Sequence, residues 1–302
     1  MESAAGRLAG RIRRTPVVAA DDGLVPRATT WFKLEYLQHV GSFKTRGMVN
    51  QIRARDVPPA GVVAASGGNA GLAAAYAARD LGVPVQVFVP VTAPAVKVAK
   101  LGKLGARVIQ VGNEYAEAYE AAVGEAAAAG ALFVHAYDDP YMVAGNGTLG
   151  LELLEQIPGG FDTVLVAVGG GGLIAGVTAA LRDRARIVAV EPESCASLHA
   201  ALAAGGPVDV PVSGVAADSL GARRVGDLPY AILSAAGVTS VLVDDQAIVE
   251  ARRRLWSDYR IVVEHGTAAA LAGLSAGAYV PAAGERVVVL LCGANTNPAD
   301  LA

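Results

Sequence analysis

The sequence predicts an α/β protein built as two open, twisted, mostly parallel α/β lobes with a ligand cleft between them. Three observations carry this. Short β-branched runs alternate with alanine-rich stretches of helical length. The runs are apolar at successive positions, which buries both strand faces, as in parallel sheets covered by helices on both sides. The alternation falls into two blocks, the second beginning after Pro140.

The first block opens with a strand over 62–65 and a helix over 70–81. Gly82 ends that helix and Pro84 follows, the usual stop signals. Val85-Gln86-Val87-Phe88-Val89 is the next strand. Residues 95–104 are helical and stop at Gly105. A strand over 107–111, a helix over 115–129 and a strand over 132–134 close the block. In the second block a strand is expected over 163–168, a helix over 173–182 and a strand over 187–190. Gly205-Gly206-Pro207 starts a surface connection that runs to Ser213. Helices over 246–259 and 267–276 and a strand over 286–291 complete the chain. No repeat of fixed period is visible.

Composition bounds the function. A chain of 302 residues with 53% hydrophobic content fills one large domain or two that share a core. With 18% charged residues, a net charge of −3 and no basic stripe interleaved with aromatics, no nucleic-acid footprint is present. Arg252-Arg253-Arg254 reads as the solvated face of a helix. No signal peptide is expected at the N-terminus, and no stretch reaches membrane-spanning length without Gly, Pro or charge. Cys195 and Cys292 lack CxxC spacing, which excludes a zinc ribbon. A disulfide is not expected in a chain that reads as cytoplasmic. His39, His135, His199 and His265 are scattered and form no ligand pair, so no metal site is expected. The apolar excess implies a well-filled interior or a subunit interface.

The chemistry gathers in four loops, at the strand ends where open α/β sheets bind ligands. The first is Gly41-Ser42-Phe43-Lys44-Thr45-Arg46-Gly47, running into a helix patterned by Phe43, Met48 and Ile52. A helix start disfavours a lysine cation, and low-dielectric surroundings depress its pKa further. A neutral amine is what a Schiff-base lysine needs. The bland alternative is a solvated surface lysine. The second loop is Ser66-Gly67-Gly68-Asn69-Ala70-Gly71. Its paired glycines let backbone N–H groups approach an anion, with Ser66 and Asn69 adding polar side chains. The alternative there is a helix N-cap by Asn69.

The third loop is Gly169-Gly170-Gly171-Gly172 before Leu173. Four glycines between a buried strand and a helix suit a phosphate cradle at a helix N-terminus. No Lys-Ser/Thr follows, so it is not a Walker loop, and the strict dinucleotide spacing is absent. A flexible turn is the alternative. The fourth loop is Cys292-Gly293-Ala294-Asn295. Its thiol reads either as a small buried hydrophobe or as a weak neutral partner for a ring nitrogen. Together the loops match one ligand, pyridoxal 5′-phosphate: aldehyde to Lys44, phosphate to the glycines, oxygen to Asn69, ring nitrogen to Cys292.

These motifs resemble the fold-type II pyridoxal-phosphate enzymes of the tryptophan-synthase-β-like superfamily, and within it the serine/threonine dehydratases. The resemblance runs from Lys33-Leu34-Glu35 through the lysine loop, residues 66–78, Asp138-Asp139-Pro140, residues 144–148, the glycine loop, Val190-Glu191-Pro192 and Glu264 to Cys292-Gly293. It implies that Lys44 is catalytic and that Phe43, Lys44, Asn69, Gly169, Gly170, Gly171, Gly172, Leu173 and Cys292 bind the cofactor. It implies a substrate-carboxylate site at Ser66, Gly67, Gly68, Asn69 and Ala70. It further implies a large cofactor-binding domain of residues 1–60 and 139–302, a small mobile domain of residues 61–138, and a homodimer.

The implied activity is that of an L-threonine/L-serine dehydratase, or ammonia-lyase, eliminating water to give a 2-oxo acid and ammonia. A β-replacement synthase and an amino-acid racemase are alternatives within the superfamily; a noncatalytic cofactor- or nucleotide-binding protein is the alternative outside it. Racemases of the group carry serine where this chain has Gly67, so racemisation is not expected. Ala70 replaces a common histidine, as in the serine-dehydratase branch. Glu191 matches a divalent-cation ligand of racemase-like members, but Ser197 stands where they have a second carboxylate. Ser219 and Glu264-His265-Gly266 also depart from the usual pattern and leave the substrate open.

Overall fold

The computed structural model describes residues 1–21, 23–26 and 28–301. The strands are β1 (Val17–Ala19), β2 (Thr29–Lys33), β3 (Val62–Ala65), β4 (Val85–Val89), β5 (Arg107–Gln110), β6 (Leu132–Phe133), β7 (Thr163–Ala167), β8 (Arg186–Pro192), β9 (Thr239–Val243) and β10 (Arg286–Leu290). The helices are α1 (Glu2–Leu8), α2 (Lys44–Arg53), α3 (Asn69–Leu81), α4 (Ala95–Lys103), α5 (Tyr115–Ala129), α6 (Pro140–Gln156), α7 (Gly172–Leu181), α8 (Ser197–Ala204), α9 (Ala217–Leu220), α10 (Asp227–Ala236), α11 (Asp245–Tyr259) and α12 (His265–Ser275). Every expected element is present, with ends within two residues of those expected.

The strands form two sheets. One has the order β1-β2-β10-β7-β8-β9, parallel except for β1, which runs antiparallel to β2. The other has the order β5-β4-β3-β6 and is parallel throughout. Both faces of the larger sheet are covered. Val287 and Val289 join Phe32 and Leu165 under α11 and α12, while Val288 and Leu290 join Val164 and Val166 under α6 and α7. In the smaller sheet Val62 and Ala64 pack on α2 and α3, and Val63 and Ala65 face Ala122 and Ala126 of α5. Side chains alternate across a strand, so a continuous apolar run is what two covered faces require.

Helix α6 was not among the expected elements; Gly145, Gly147 and Gly150 are unfavourable in a helix by local propensity. Here the glycines let backbones touch. A Cβ on Gly145 would lie 2.5 Å from the Arg46 carbonyl oxygen, and one on Gly147 would lie 2.7 Å from that of Gly176. Helix α6 is thereby packed directly between α2 and α7. The arginine triple needs correction too. Arg252 is buried rather than solvated: its Nε donates to the Val263 carbonyl at 2.7 Å, and its two terminal nitrogens reach Asp300 at 2.7 and 2.9 Å. It shares the inner face of α11 with Ile248 and Leu255, at helical spacing. No helix among the described residues is long and apolar enough to cross a membrane.

Candidate active site

All four loops meet at the C-terminal strand ends, around a cavity of about 690 Å³ lined by residues of both sheets' loops. This is where parallel sheets gather loops and helix N-termini. Lys44 is the first residue of α2. Its segment is stitched to the continuation of β10. The Phe43 N–H donates to the Cys292 carbonyl at 3.0 Å, the Ala294 N–H donates to that of Gly41 at 2.9 Å, and Ser42 bridges Gly293. The lysine and the thiol loop are thus held as one piece.

The Lys44 Nζ donates to the Ala136 carbonyl at 2.7 Å and lies 5.0 Å from the Phe43 ring centroid. Lys44 is half-buried in the cavity wall rather than a solvated surface lysine, and burial depresses its pKa to about 8. Behind it sits a buried ion network. Arg46 pairs with Glu35 through Nε–Oε1 at 2.6 Å and with Glu152 through two bonds of 2.7 and 2.9 Å. The Lys33 Nζ donates to Glu152 at 2.7 Å, to Gln156 at 2.8 Å and to the Thr15 carbonyl at 2.8 Å. Two cations face two carboxylates, so the buried charge is balanced.

Opposite lies the Ser66 loop. The N-cap of α3 is Gly68, so Asn69 is not the cap. Its amide instead donates to both Glu264 carboxylate oxygens at 3.0 Å and accepts from the Asn295 amide at 2.7 Å. Glu264 also accepts the Asn295 N–H at 2.8 Å, and burial raises its pKa. This wiring was not read from the sequence. Glu264 is the N-cap residue of α12, but its side chain makes no capping bond and instead reaches across the cleft to Asn69. Among the described residues, the N–H groups of Gly67, Asn69, Ala70 and Gly71 have no acceptor. With the Ser66 hydroxyl they form a carboxylate-sized cradle at a helix N-terminus.

The glycine loop has the same character, more strongly. Among the described residues, the N–H groups of Gly169, Gly170, Gly171, Gly172 and Leu173 have no acceptor. Their carbonyls are tied from behind: Ser197 Oγ donates to Gly169 at 3.0 Å, the Gly226 N–H to Gly170 at 3.2 Å and Asn146 Nδ2 to Gly172 at 3.2 Å. Gly171 has φ +87°, and a Cβ on Gly170 would lie 2.3 Å from the Tyr137 ring. Side chains are therefore excluded, and the donors remain for an anion such as phosphate.

The remaining predicted residues divide. Cys292 is buried, its Sγ 3.4 Å from the Thr267 hydroxyl, and burial pushes its thiol up to about 12, so it stays neutral. Gly67 lines the cavity, and nothing there moves a proton. Both Glu191 oxygens accept helix-start N–H groups, from Leu198 and His199 at 2.8 Å each. Ser219 lines the cavity beside Gly266. Sequence reasoning missed Tyr115 and Tyr137 as cavity walls, and Lys97, whose ammonium pairs with Asp218. The amine, the cradle of free N–H groups and the neutral thiol fit pyridoxal phosphate.

Comparison with known proteins agrees. A family model described as pyridoxal-phosphate dependent enzyme matches residues 8–293. The chain is 37% identical to an L-threonine ammonia-lyase of Geobacter sulfurreducens, over 96% of this chain and 73% of that protein. It is 37% identical to a phenylserine dehydratase of Ralstonia pickettii, over 98% of this chain and 92% of that one. Among solved structures it is similar to maize serine racemase, with a TM-score of 0.93 and 32% identity over 99% of this chain and 94% of that one. The chain belongs to the pyridoxal-phosphate dependent enzymes.

Proposed function

We propose that this protein is an ammonia-lyase of the L-serine/L-threonine type, which eliminates water from a β-hydroxy amino acid to release a 2-oxo acid and ammonia. The observation that carries this reading is the Lys44 amine, with its pKa held near 8, standing between two anion-binding loops in one cavity. Its relatives include an L-threonine ammonia-lyase and a phenylserine dehydratase, whose named substrates share a β-hydroxyl and differ in the other group on Cβ.

When bound, pyridoxal phosphate supplies an aldehyde for amines and a conjugated ring that takes up electron density from Cα. Lys44 and Phe43 would hold its aldehyde end, the N–H groups from Gly169 to Leu173 its phosphate, Asn69 its ring oxygen and Cys292 its ring nitrogen. The neutral thiol leaves that nitrogen without a counter-charge, which limits carbanion build-up and suits loss of a β-substituent. Ser66, the N–H groups of Gly67 and Asn69, and the Gly68 and Ala70 backbone orient the substrate carboxylate. Lys44, as free amine, takes the Cα proton as general base. Gly67 offers no second proton group on the opposite face, which disfavours racemisation.

Residues 61–138 are proposed to close over the substrate as the small mobile domain, with residues 1–60 and 139–302 as the cofactor-binding domain. A homodimer is proposed from the apolar composition, and a cytoplasmic setting from the two unpaired buried cysteines. The test is 2-oxo acid release from L-serine and L-threonine. Lys44→Ala is expected to abolish it; turnover retained in that variant would sink the assignment. Chiral analysis should find the remaining serine all L, and accumulation of D-serine would favour the racemase reading.

A further inference from the structure

Resting on the ammonia-lyase reading of this site, we propose that the cavity takes a β-hydroxy amino acid bearing an aromatic ring on Cβ, and that Tyr115 selects for it. Once the lysine, the two anion loops and the thiol are accounted for, the remaining wall carries two aromatic rings, Tyr115 and Tyr137. Tyr137 flanks the lysine, its ring centroid 5.9 Å from Nζ. The two rings are linked behind the wall through His135 and Tyr119, which do not line the cavity: His135 lies 4.8 Å from Tyr137, Tyr119 6.2 Å from His135 and Tyr115 6.1 Å from Tyr119, centroid to centroid. These spacings are those of favourable edge and offset aromatic contacts.

Tyr115 ends the row with 53% of its surface exposed while lining the cavity. It is the first residue of α5, and a capping box of Glu114 and Glu117 fixes that helix start. The Glu117 carboxylate accepts the N–H groups of Asn113 at 2.6 Å and Glu114 at 3.0 Å. The ring is therefore presented from a capped helix start, in a wall that Pro90 and Ala93 also line. A substrate ring would pack against Tyr115 and cover its exposed face. Charge favours no rival: the Lys97 ammonium is already paired with Asp218, and Arg223 and Arg224 are exposed at the mouth, where water screens them.

The experiment compares kcat/KM for phenylserine, L-serine and 3-hydroxyaspartate in the cofactor-loaded enzyme. It also measures calorimetric binding of L-phenylalanine and L-alanine, which carry no β-hydroxyl to eliminate. Phenylserine should exceed serine by about tenfold or more, the discrimination an apolar subsite supplies. Tyr115→Ala should cut that ratio by about tenfold, mostly through KM, and Tyr115→Phe should keep it. L-Phenylalanine should bind more tightly than L-alanine only while residue 115 is aromatic. Preference for serine or hydroxyaspartate, or a ratio indifferent to Tyr115→Ala, overturns the proposal. Residue-115-dependent binding of L-phenylalanine with no elimination of any hydroxyamino acid would uphold the subsite and overturn the ammonia-lyase reading.

Discussion

Lys44 shows how a residue acquires chemistry from its surroundings. Its pKa falls to about 8 because burial penalises the ammonium, while its one hydrogen-bond partner, the Ala136 carbonyl, is neutral. In cofactor-free protein the rate of Lys44 acylation, followed by mass spectrometry against pH, should therefore rise with a midpoint near 8. A midpoint near the ordinary 10.5 would mean that the amine is solvated. The sign for stability follows. Between about 8 and 10.5 the unfolded chain holds the proton and the folded one does not, so this lysine makes stability rise with pH across that window. Below about 8 both states are protonated and its contribution is flat. Comparing wild type with Lys44→Met isolates the slope.

At the scale of elements, packing against the backbone is what made some helices hard to read. Strand β3, helix α3 and strand β4 were legible because apolar runs and the Gly82 stop are local signals. Helix α6 was not, because its glycines signal a loop locally and a close helix contact only in three dimensions. Substituting Gly145→Ala forces a methyl into the Arg46 carbonyl and should cost about 1–3 kcal/mol, read from urea denaturation. An unchanged midpoint would show that α2 and α6 can separate freely. Strands β2 and β9 escaped for a related reason. Lys33 and Ser240 make them look polar, yet Lys33 is fully buried because Glu152, Gln156 and the Thr15 carbonyl receive its ammonium. The site divides the same way. Lys44 and the glycine loop announce themselves by residue type and spacing, whereas the Glu264–Asn69–Asn295 linkage joins residues 195 and 226 positions from Asn69 and leaves no local trace.

Across the molecule as a whole, the charges behind the site are buried and tied together, whereas those at its mouth are more exposed. Behind Lys44, Arg46, Glu35, Glu152 and Lys33 tie β2, α2 and α6 together, with three of the four side chains fully buried. Removing one member leaves an opposite charge without its partner in low dielectric, so Glu35→Ala should lower the unfolding free energy by about 3–5 kcal/mol. Across the mouth, Lys97 of α4 pairs with Asp218 of α9, joining the loops of the two sheets. Asp218 is 71% exposed there, and such a pair contributes about 0–1 kcal/mol. Asp218→Asn should therefore leave the urea midpoint nearly unchanged while speeding hydrogen exchange in the 90–104 segment, because it frees the small sheet's loop from the opposite wall. The contrast suits the proposed closure of residues 61–138, in which the lysine stays in place and the wall that carries Tyr115 moves. Exchange in the 90–104 segment left unchanged by Asp218→Asn would mean that this pair does not hold the two walls together, and the proposed closure of residues 61–138 would lose its support.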